Sequence, residues 1–359
     1  MNRKLKIAVL GGGGILAAHA PGLNRISELC EVVAVAEPNE ARHGEIRRLL
    51  QKDVPVYRDY NEIFNLSEID SVDILLPHNL HMDAAIKAAE KGLHVLCEKV
   101  MARNIYECQA MIDACNKSGV ILAISHDRRY AGDWVSLKNI IDSGELGDVL
   151  SIKMEHNQDV CFSEDSWGRT FDGLGGGAIM SCLTHQIDAL RWYLGEAEKV
   201  NCMLKILPER MEGECIGTIN AAMKSGALAL LSINWHTQSH QWGGAENNGL
   251  WYEFIHVTGT RGEAYYMSGR GTFLKKHKIH DVSDNACFIK IETGQSISGH
   301  EKCIEEFVKA ACGEPAQVLT YGADTIKTVE IAEAAYISAA TDKTVTLPIE
   351  ATPWEQRIY

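Results

Sequence analysis

The chain has no run of lysine and arginine, no long apolar stretch, no C-x-x-C pair, and no internal repeat or low-complexity segment. Each absence removes a class of protein. Nucleic acid and anionic membrane both need a basic face, and the formal net charge is −13, so neither is expected as a partner. A membrane-spanning helix needs about 20 consecutive apolar residues, and no such stretch occurs. The apolar run behind the polar start "MNRKLKIAVLGGGG" is too short for a signal peptide. The 11 cysteines are odd in number and scattered, which fits free thiols in a reducing compartment better than a disulfide framework or a structural zinc site. The expectation is a cytoplasmic, soluble protein.

What is present points to two domains. A length of 359 residues suits two rather than one. Over the first 125 or so residues, "KIAVLGG", "EVVAVAE", "SVDILLP", "HVLCEK" and "VILAIS" are continuous apolar runs, the pattern of parallel strands buried on both faces. Helical patterns such as "HMDAAIKAAEKG" separate them, and Gly92 ends that one. Strand and helix in alternation predict a doubly wound parallel sheet over residues 1–126. Beyond it, "DVLSIKMEHNQDV", "ECIGTINAAMKSGALALLSINW" and "WYEFIHVTGTRGEAYYMS" read as longer, partly alternating strands. Residues 127–359 are therefore expected to form an α/β domain on a large, mostly antiparallel open sheet, closed by two helices in the tail.

"AVLGGGGILAAH" follows the first strand and opens a helix. Glycines there permit a tight turn and let a pyrophosphate approach free N–H groups at the helix N-terminus. One register puts Gly11 and Gly13 at the first two glycine positions and Leu16 at the third; a register of Gly12, Gly14 and Ala17 also fits. Glu37 ends the second strand, 26 residues after Gly11. A carboxylate at that tip accepts ribose hydroxyls and repels a 2′-phosphate, favouring NAD over NADP. Arg42, five residues further on, is too far along the chain for the usual 2′-phosphate arginine.

"HVLCEK" sets Glu98 and Lys99 at the C-terminal end of a strand, the edge where ligands bind in such sheets. "LLPHNLH" ends another strand with Pro77 and His78 where the chain passes the nicotinamide side. His81, three residues after His78, reads as a helix N-terminal residue rather than a metal ligand, and "HTQSH", His236 to His240, has no third ligand, so no metal site is expected. "GGGAIMSCLTHQIDALRW" brings three glycines ahead of an amphipathic run in which His185 and Asp188 share a face. Trp167 offers a flat face of the kind that stacks on sugars, and Arg169 a forked donor. Arg128 and Tyr130 follow the last nucleotide-domain strand within reach of cofactor or substrate. Trp242 and Trp251 fall in a region that reads as a lid or oligomer contact.

These motifs, with "RRY", "DSGELGDV", "VTGTRGEAYY" and the tail "EAAYISAATDKTVTLPI", resemble the Gfo/Idh/MocA family of NAD(P)-dependent oxidoreductases over nearly the whole chain and in the family's order. The resemblance implies that Gly11, Gly13, Gly14 and Ile15 line the pyrophosphate and Glu37 the adenosine ribose, with Arg42 nearby. It places Pro77, His78 and His81 at the far ribose and nicotinamide, with Glu98 and Arg128 beside them. Lys99 corresponds to the family's E-K-P lysine, and His185 to the histidine of its G-G-G…D…H motif. Three positions depart from the pattern: Leu16 at the third glycine, Val100 at the proline, and Ser181 where many sugar and inositol dehydrogenases carry aspartate. A hydroxyl cannot supply the negative charge that would stabilise a histidinium.

The implied activity is NAD-dependent oxidation of a ring hydroxyl of a sugar, glycoside or cyclitol, including oxidation of glucosides at C3. His185 would be the base and Lys99 would hold the same oxygen, with Tyr130, Trp167, Arg169, Ser181 and Asp188 shaping the substrate pocket. Two other readings stay open: an NAD-dependent glycosidase working by transient oxidation and elimination, and a regulatory protein that binds the cofactor without chemistry. The family also implies a homo-oligomer: dimer, tetramer or hexamer.

Overall fold

A computed structural model of the chain describes residues 3–237, 251–276, 288–294 and 297–359. The chain forms two compact units, one from residues 1–130 with 297–326 and the other from 131–296 with 327–359. In the first, strands β1 (Leu5–Leu10), β2 (Cys30–Ala36), β3 (Val56–Tyr57), β4 (Ser71–Ile74), β5 (His94–Glu98) and β6 (Leu122–Ser125) make a parallel sheet in the order β3-β2-β1-β4-β5-β6. Helices α1 (Leu16–Arg25), α2 (His43–Leu49), α3 (Tyr60–Ile63), α4 (His78–Glu90) and α5 (Ile105–Ser118) connect them. Val9, Leu10, Val72, Ile74, Val95 and Leu96 are buried because helices cover both faces. Local chemistry ends the helices as expected: Asn104 accepts the Glu107 N–H at the start of α5, and left-handed Gly119 closes it. Strand order reverses between β1 and β4, so the loops after these two strands diverge and leave the crevice where open α/β sheets bind ligands.

The second unit begins with α6 (Gly132–Asp142) and β7 (Val149–Gln158). Short α7 (Phe171–Leu174) leads through a π-helical turn, Ile179–Leu183, into α8 (Thr184–Leu194). Strands β8 (Ala197–Ile206), β9 (Glu214–Met223), β10 (Leu228–Asn234), β11 (Trp251–Gly259), β12 (Gly262–Met267), β13 (Gly271–Lys276), β14 (Ile289–Ile291) and β15 (Val345–Thr346) complete a nine-stranded sheet ordered β14-β13-β12-β11-β7-β10-β9-β8-β15. Every described pair is antiparallel except β7 with β10. Along β10 the alternation is clean: Ala229, Leu231 and Ile233 are buried, while Leu228 and Leu230 point to the other face and are exposed. Met203 of β8 lies on that exposed face too.

The domain boundary corrects the expectation of 1–126 and 127–359. The first unit runs on to Tyr130 and takes back residues 297–326. Helix α9 (Gly299–Ala311) opens with a capping box in which Ser298 and Glu301 each accept the other's backbone N–H. It packs on α1 so closely that a Cβ on Gly22 would lie 3.0 Å from Ile304 Cδ1. Ile304, Phe307 and Val308 of α9 join Leu16, Ala20 and Leu23 of α1 in one core, and Arg25 reaches Glu305 at 2.8 Å. The final long helix, α10 (Gly322–Thr341), supplies Thr328 and Tyr336 to the second unit. All ten cysteines among the described residues are free, and no described helix is long and apolar enough to cross a membrane.

Candidate active site

The glycine loop divides into a packed half and an open half. Gly11 has a φ of +104°, and a Cβ there would meet the Leu75 carbonyl oxygen at 2.4 Å. A Cβ on Gly12 would meet Ile46 Cδ1 at 2.4 Å, whereas Gly13 and Gly14 have nothing within 4 Å of theirs. Gly13 and Gly14 therefore leave space at the start of α1, where Ile15 provides no side-chain cap. Leu16 stands fully buried at the third glycine position. Glu37 and Arg42 grip the peptide of Gly12 from both ends. Glu37 Oε2 accepts the Gly12 N–H at 3.0 Å, and Arg42 Nε donates to the Gly12 carbonyl at 2.7 Å. An open anion cradle at a helix start, with a carboxylate at the tip of β2, fits the pyrophosphate and adenosine ribose of a dinucleotide.

At the far side of the crevice, Pro77 caps α4 and His78 is its first residue. His81 is fully buried, with Nδ1 2.9 Å from the Val100 carbonyl and Nε2 2.8 Å from that of Leu76. Burial holds its pKa below the ordinary imidazole range. His81 thus lies between the loop after β4 and the segment after β5, with a backbone carbonyl against each ring nitrogen. Glu98 is likewise buried. Its Oε1 lies 3.0 Å from His19 Nε2, and its Oε2 accepts the N–H of Lys99 at 3.1 Å. Burial alone would raise this carboxyl, but His19 and His300 outweigh it and hold it well below its usual range. Lys99 follows, half-buried at the strand end, and the Lys99–Val100 peptide is cis.

Arg128 donates to Asp127 Oδ2 at 2.6 Å. Tyr130 is anchored within the first unit. Its ring is buried, and its phenol oxygen accepts the Leu319 N–H at 2.7 Å, tying it to the returning segment.

In the second unit the glycine triplet serves a purpose that the sequence does not disclose. Gly176 has a φ of +152°, and a Cβ on it would lie 2.2 Å from the Tyr336 phenol oxygen. A Cβ on Gly177 would lie 2.3 Å from the Glu214 carbonyl oxygen. The close approach lets the N–H groups of Gly177 and Met180 reach Tyr336 Oη at 3.0 and 3.3 Å. Glu214 Oε1 accepts from the Ile179 N–H at 2.6 Å and from Tyr336 at 3.0 Å. Burial pushes the Glu214 carboxyl up to about 7. The pair anchors the turn that launches α8 and so sets the position of His185, which is 8% exposed. Ser181 lies partly exposed in the π-helical turn just before it.

Asp188 is anchored within the second unit. It is fully buried and accepts the Thr328 hydroxyl at 3.0 Å, with Arg191 Nη1 at 4.0 Å. Trp167 and Arg169 share one 3₁₀ turn. Trp167 is 43% exposed, the largest flat apolar face near the triplet in sequence, and Arg169 donates to the Glu209 carbonyl at 3.0 Å. Trp251 begins β11 with its ring half in solvent; Trp242 and His240 lie outside the described residues. Sequence reasoning missed His19, His300, Glu214 and Tyr336. Only His19 carried a local signal, as a histidine one turn into the helix behind the glycine loop.

Two family models match the chain. Residues 5–126 match the oxidoreductase family with an NAD-binding Rossmann fold, and residues 134–265 match the GFO/IDH/MocA C-terminal domain. The levoglucosan dehydrogenase of Pseudarthrobacter phenanthrenivorans is 31% identical over 227 residues, 58% of this chain and 56% of that protein. The inositol 2-dehydrogenase of Salmonella typhimurium is 32% identical over 196 residues, 54% of this chain and 56% of that protein. The matches thus span a little over half the length of these relatives. A solved levoglucosan dehydrogenase in complex with NADH and levoglucosan superposes with a TM-score of 0.83 at 24% identity, over 97% of this chain and 100% of the other.

Proposed function

The chain belongs to the Gfo/Idh/MocA family of oxidoreductases with an NAD-binding Rossmann fold, and from that premise we propose that it oxidises a ring hydroxyl of a sugar or cyclitol to a ketone. The observation that carries the proposal is the open glycine cradle of the first unit, with Glu37 at the tip of β2 beside it. Bound NAD supplies the hydride acceptor. The hydroxyl proton must leave as the hydride does, and an alcohol is too weak an acid to lose it unaided. His185 takes that proton on its imidazole. An imidazole, with an ordinary pKa of about 6.5, is matched to this step near neutral pH. Lys99 holds the same oxygen and stabilises its developing charge. Glu37 selects NAD over NADP by accepting ribose hydroxyls and repelling a 2′-phosphate.

The relatives act on levoglucosan and inositol, by name, and this supports a polyhydroxylated ring as the substrate class. Trp167 gives the ring a stacking face. Oxidation of a glucoside at C3 is the narrower form of the proposal, resting on Ser181 in place of an aspartate. The exposed apolar face of the second sheet, with Met203, Leu228 and Leu230, supports a homo-oligomer.

A panel of sugars, inositols and aryl glucosides with NAD tests the reading by recording NADH absorbance and product mass together. NADH accumulation with loss of two hydrogens supports it. Release of aglycone without NADH points to a glycosidase, and NAD binding without turnover to a regulatory protein. His185→Ala should lower kcat by about 10²–10⁴-fold and leave NAD affinity within about twofold. A variant that turns over like the wild type removes His185 as the base.

A further inference from the structure

Behind Lys99 lies a buried cluster that the proposed chemistry does not use. His19, from α1, places Nδ1 2.9 Å from Asp73 Oδ2 and Nε2 3.0 Å from Glu98 Oε1. His300, from α9, places Nε2 3.7 Å from that same Glu98 oxygen and Nδ1 3.4 Å from Asp127 Oδ2. Asp127 in turn holds Arg128. Three carboxylates, two imidazoles and a guanidinium therefore share one site, and His19 within it is fully buried.

Both nitrogens of His19 face carboxylates, so the ring meets its partners fully only as a donor of two hydrogen bonds. Burial alone would lower its pKa, but the charges and hydrogen bonds of Asp73 and Glu98 overcome that and raise it to about 10. A buried carboxylate left without partners is costly, and Glu98 sits with His19 at 3.0 Å and His300 at 3.7 Å from one oxygen. Its second oxygen takes the N–H of Lys99, while His81 holds the carbonyl of the following residue, Val100. The backbone on each side of Lys99 is thus tied to a buried histidine, on one side through Glu98.

We propose that His19 and His300 are positioning residues for Lys99, acting through the Glu98 carboxylate. The assignment rests on the reading that Lys99 touches the reacting oxygen. It gives the returning segment, which carries His300, a direct part in placing that lysine. Misplacing a reacting group by about 1 Å can cost about 10²-fold in rate, and a lysine freed at its backbone anchor incurs a loss of that kind.

His300 is the residue to change, because it sits at the edge of the cluster with 17% of its side chain exposed. His300→Leu removes the imidazole that lies 3.7 Å from Glu98, whereas His300→Gln keeps a polar N–H beside it. The expected result for His300→Leu is a kcat lowered about 10–100-fold, with KM for the sugar and affinity for NAD within about threefold of wild type. His300→Gln should recover most of the lost rate. In a Lys99→Met background, His300→Leu should cost less than about threefold more, because the two changes act on one interaction.

Full activity in His300→Leu overturns the proposal, as does an undiminished loss in the Lys99→Met background. Lys99→Met turning over like the wild type sinks the role of Lys99 itself and is recognised from that single variant. A readout free of turnover is the ¹³C resonance of Lys99 in reductively methylated protein, assigned by its disappearance in Lys99→Arg. It should move in His300→Leu and return in His300→Gln; a resonance unmoved in both overturns the proposal.

The ligand atoms of His19, Glu98 and His300 lie within 4.8 Å of one another. A stoichiometric metal found by elemental analysis of the holoprotein would therefore also overturn the hydrogen-bonded arrangement.

Discussion

Gly176 shows how little room single residues have at the start of α8. An alanine methyl would sit 2.2 Å from the Tyr336 phenol oxygen, on a backbone at a φ of +152°. Gly176→Ala should cost about 2–4 kcal/mol of stability, read as a lower denaturation midpoint, with NAD affinity nearly unchanged. Adding Tyr336→Phe removes the obstructing oxygen and should recover part of the loss; no recovery would mean that the backbone angle alone sets the cost. The triplet itself was legible in the sequence as a place where something approaches the main chain. What approaches was not, because Tyr336 lies 159 residues beyond Gly177. The partners of Tyr130 and Asp188 were illegible for the same reason: Leu319 and Thr328 are remote in the chain.

Among the elements, two buried titrating groups give opposite ends of the pH range their own signature. The Glu214 carboxyl, holding the π-helical turn, rises to about 7. A raised carboxyl favours the folded state when protonated, so its contribution is complete below the ordinary value and lost as pH climbs through 7. His19, binding α1 to β4 and β5, rises to about 10. Its contribution is complete below about 6.5 and lost as pH climbs towards 10. The melting temperature should therefore fall in two stages between about pH 5 and 10. Glu214→Gln should flatten the lower stage and His19→Gln the upper one. Unchanged slopes in either variant would assign that stage to other groups. The strands around these groups were readable as continuous apolar runs. The π-helical turn was not, because its sequence, "IMSCL", carries the same apolar pattern as an α-helix.

For the whole molecule, the decisive departure is the path of the chain. The sequence pattern closes the first domain near residue 126, since its five strand signals are complete there. Yet Ile304, Phe307 and Val308 belong to its core. Burying three such side chains is worth roughly 5–9 kcal/mol, as much as the net stability of many domains. A fragment of residues 1–126 should therefore lack a cooperative melting transition. Joining residues 297–326 to residues 1–130 through a flexible linker should restore the transition, together with NAD binding measured by calorimetry. A well-folded, NAD-binding 1–126 fragment would refute the dependence. No local pattern in "HEKCIEEFVKAAC" says which unit it joins; its amphipathic face would suit either.

The same path has a consequence for synthesis on the ribosome. Translation proceeds at about 5–20 residues per second, so the residues between 130 and 326 take roughly 10–40 s to appear. For that interval the nascent amino-terminal segment has an apolar stripe on α1 with no lining yet made. The order of maturation is then inverted: most of the later-made unit emerges before the earlier-made one can finish. Chaperone demand during elongation would track the length of the intervening stretch rather than the size of either unit.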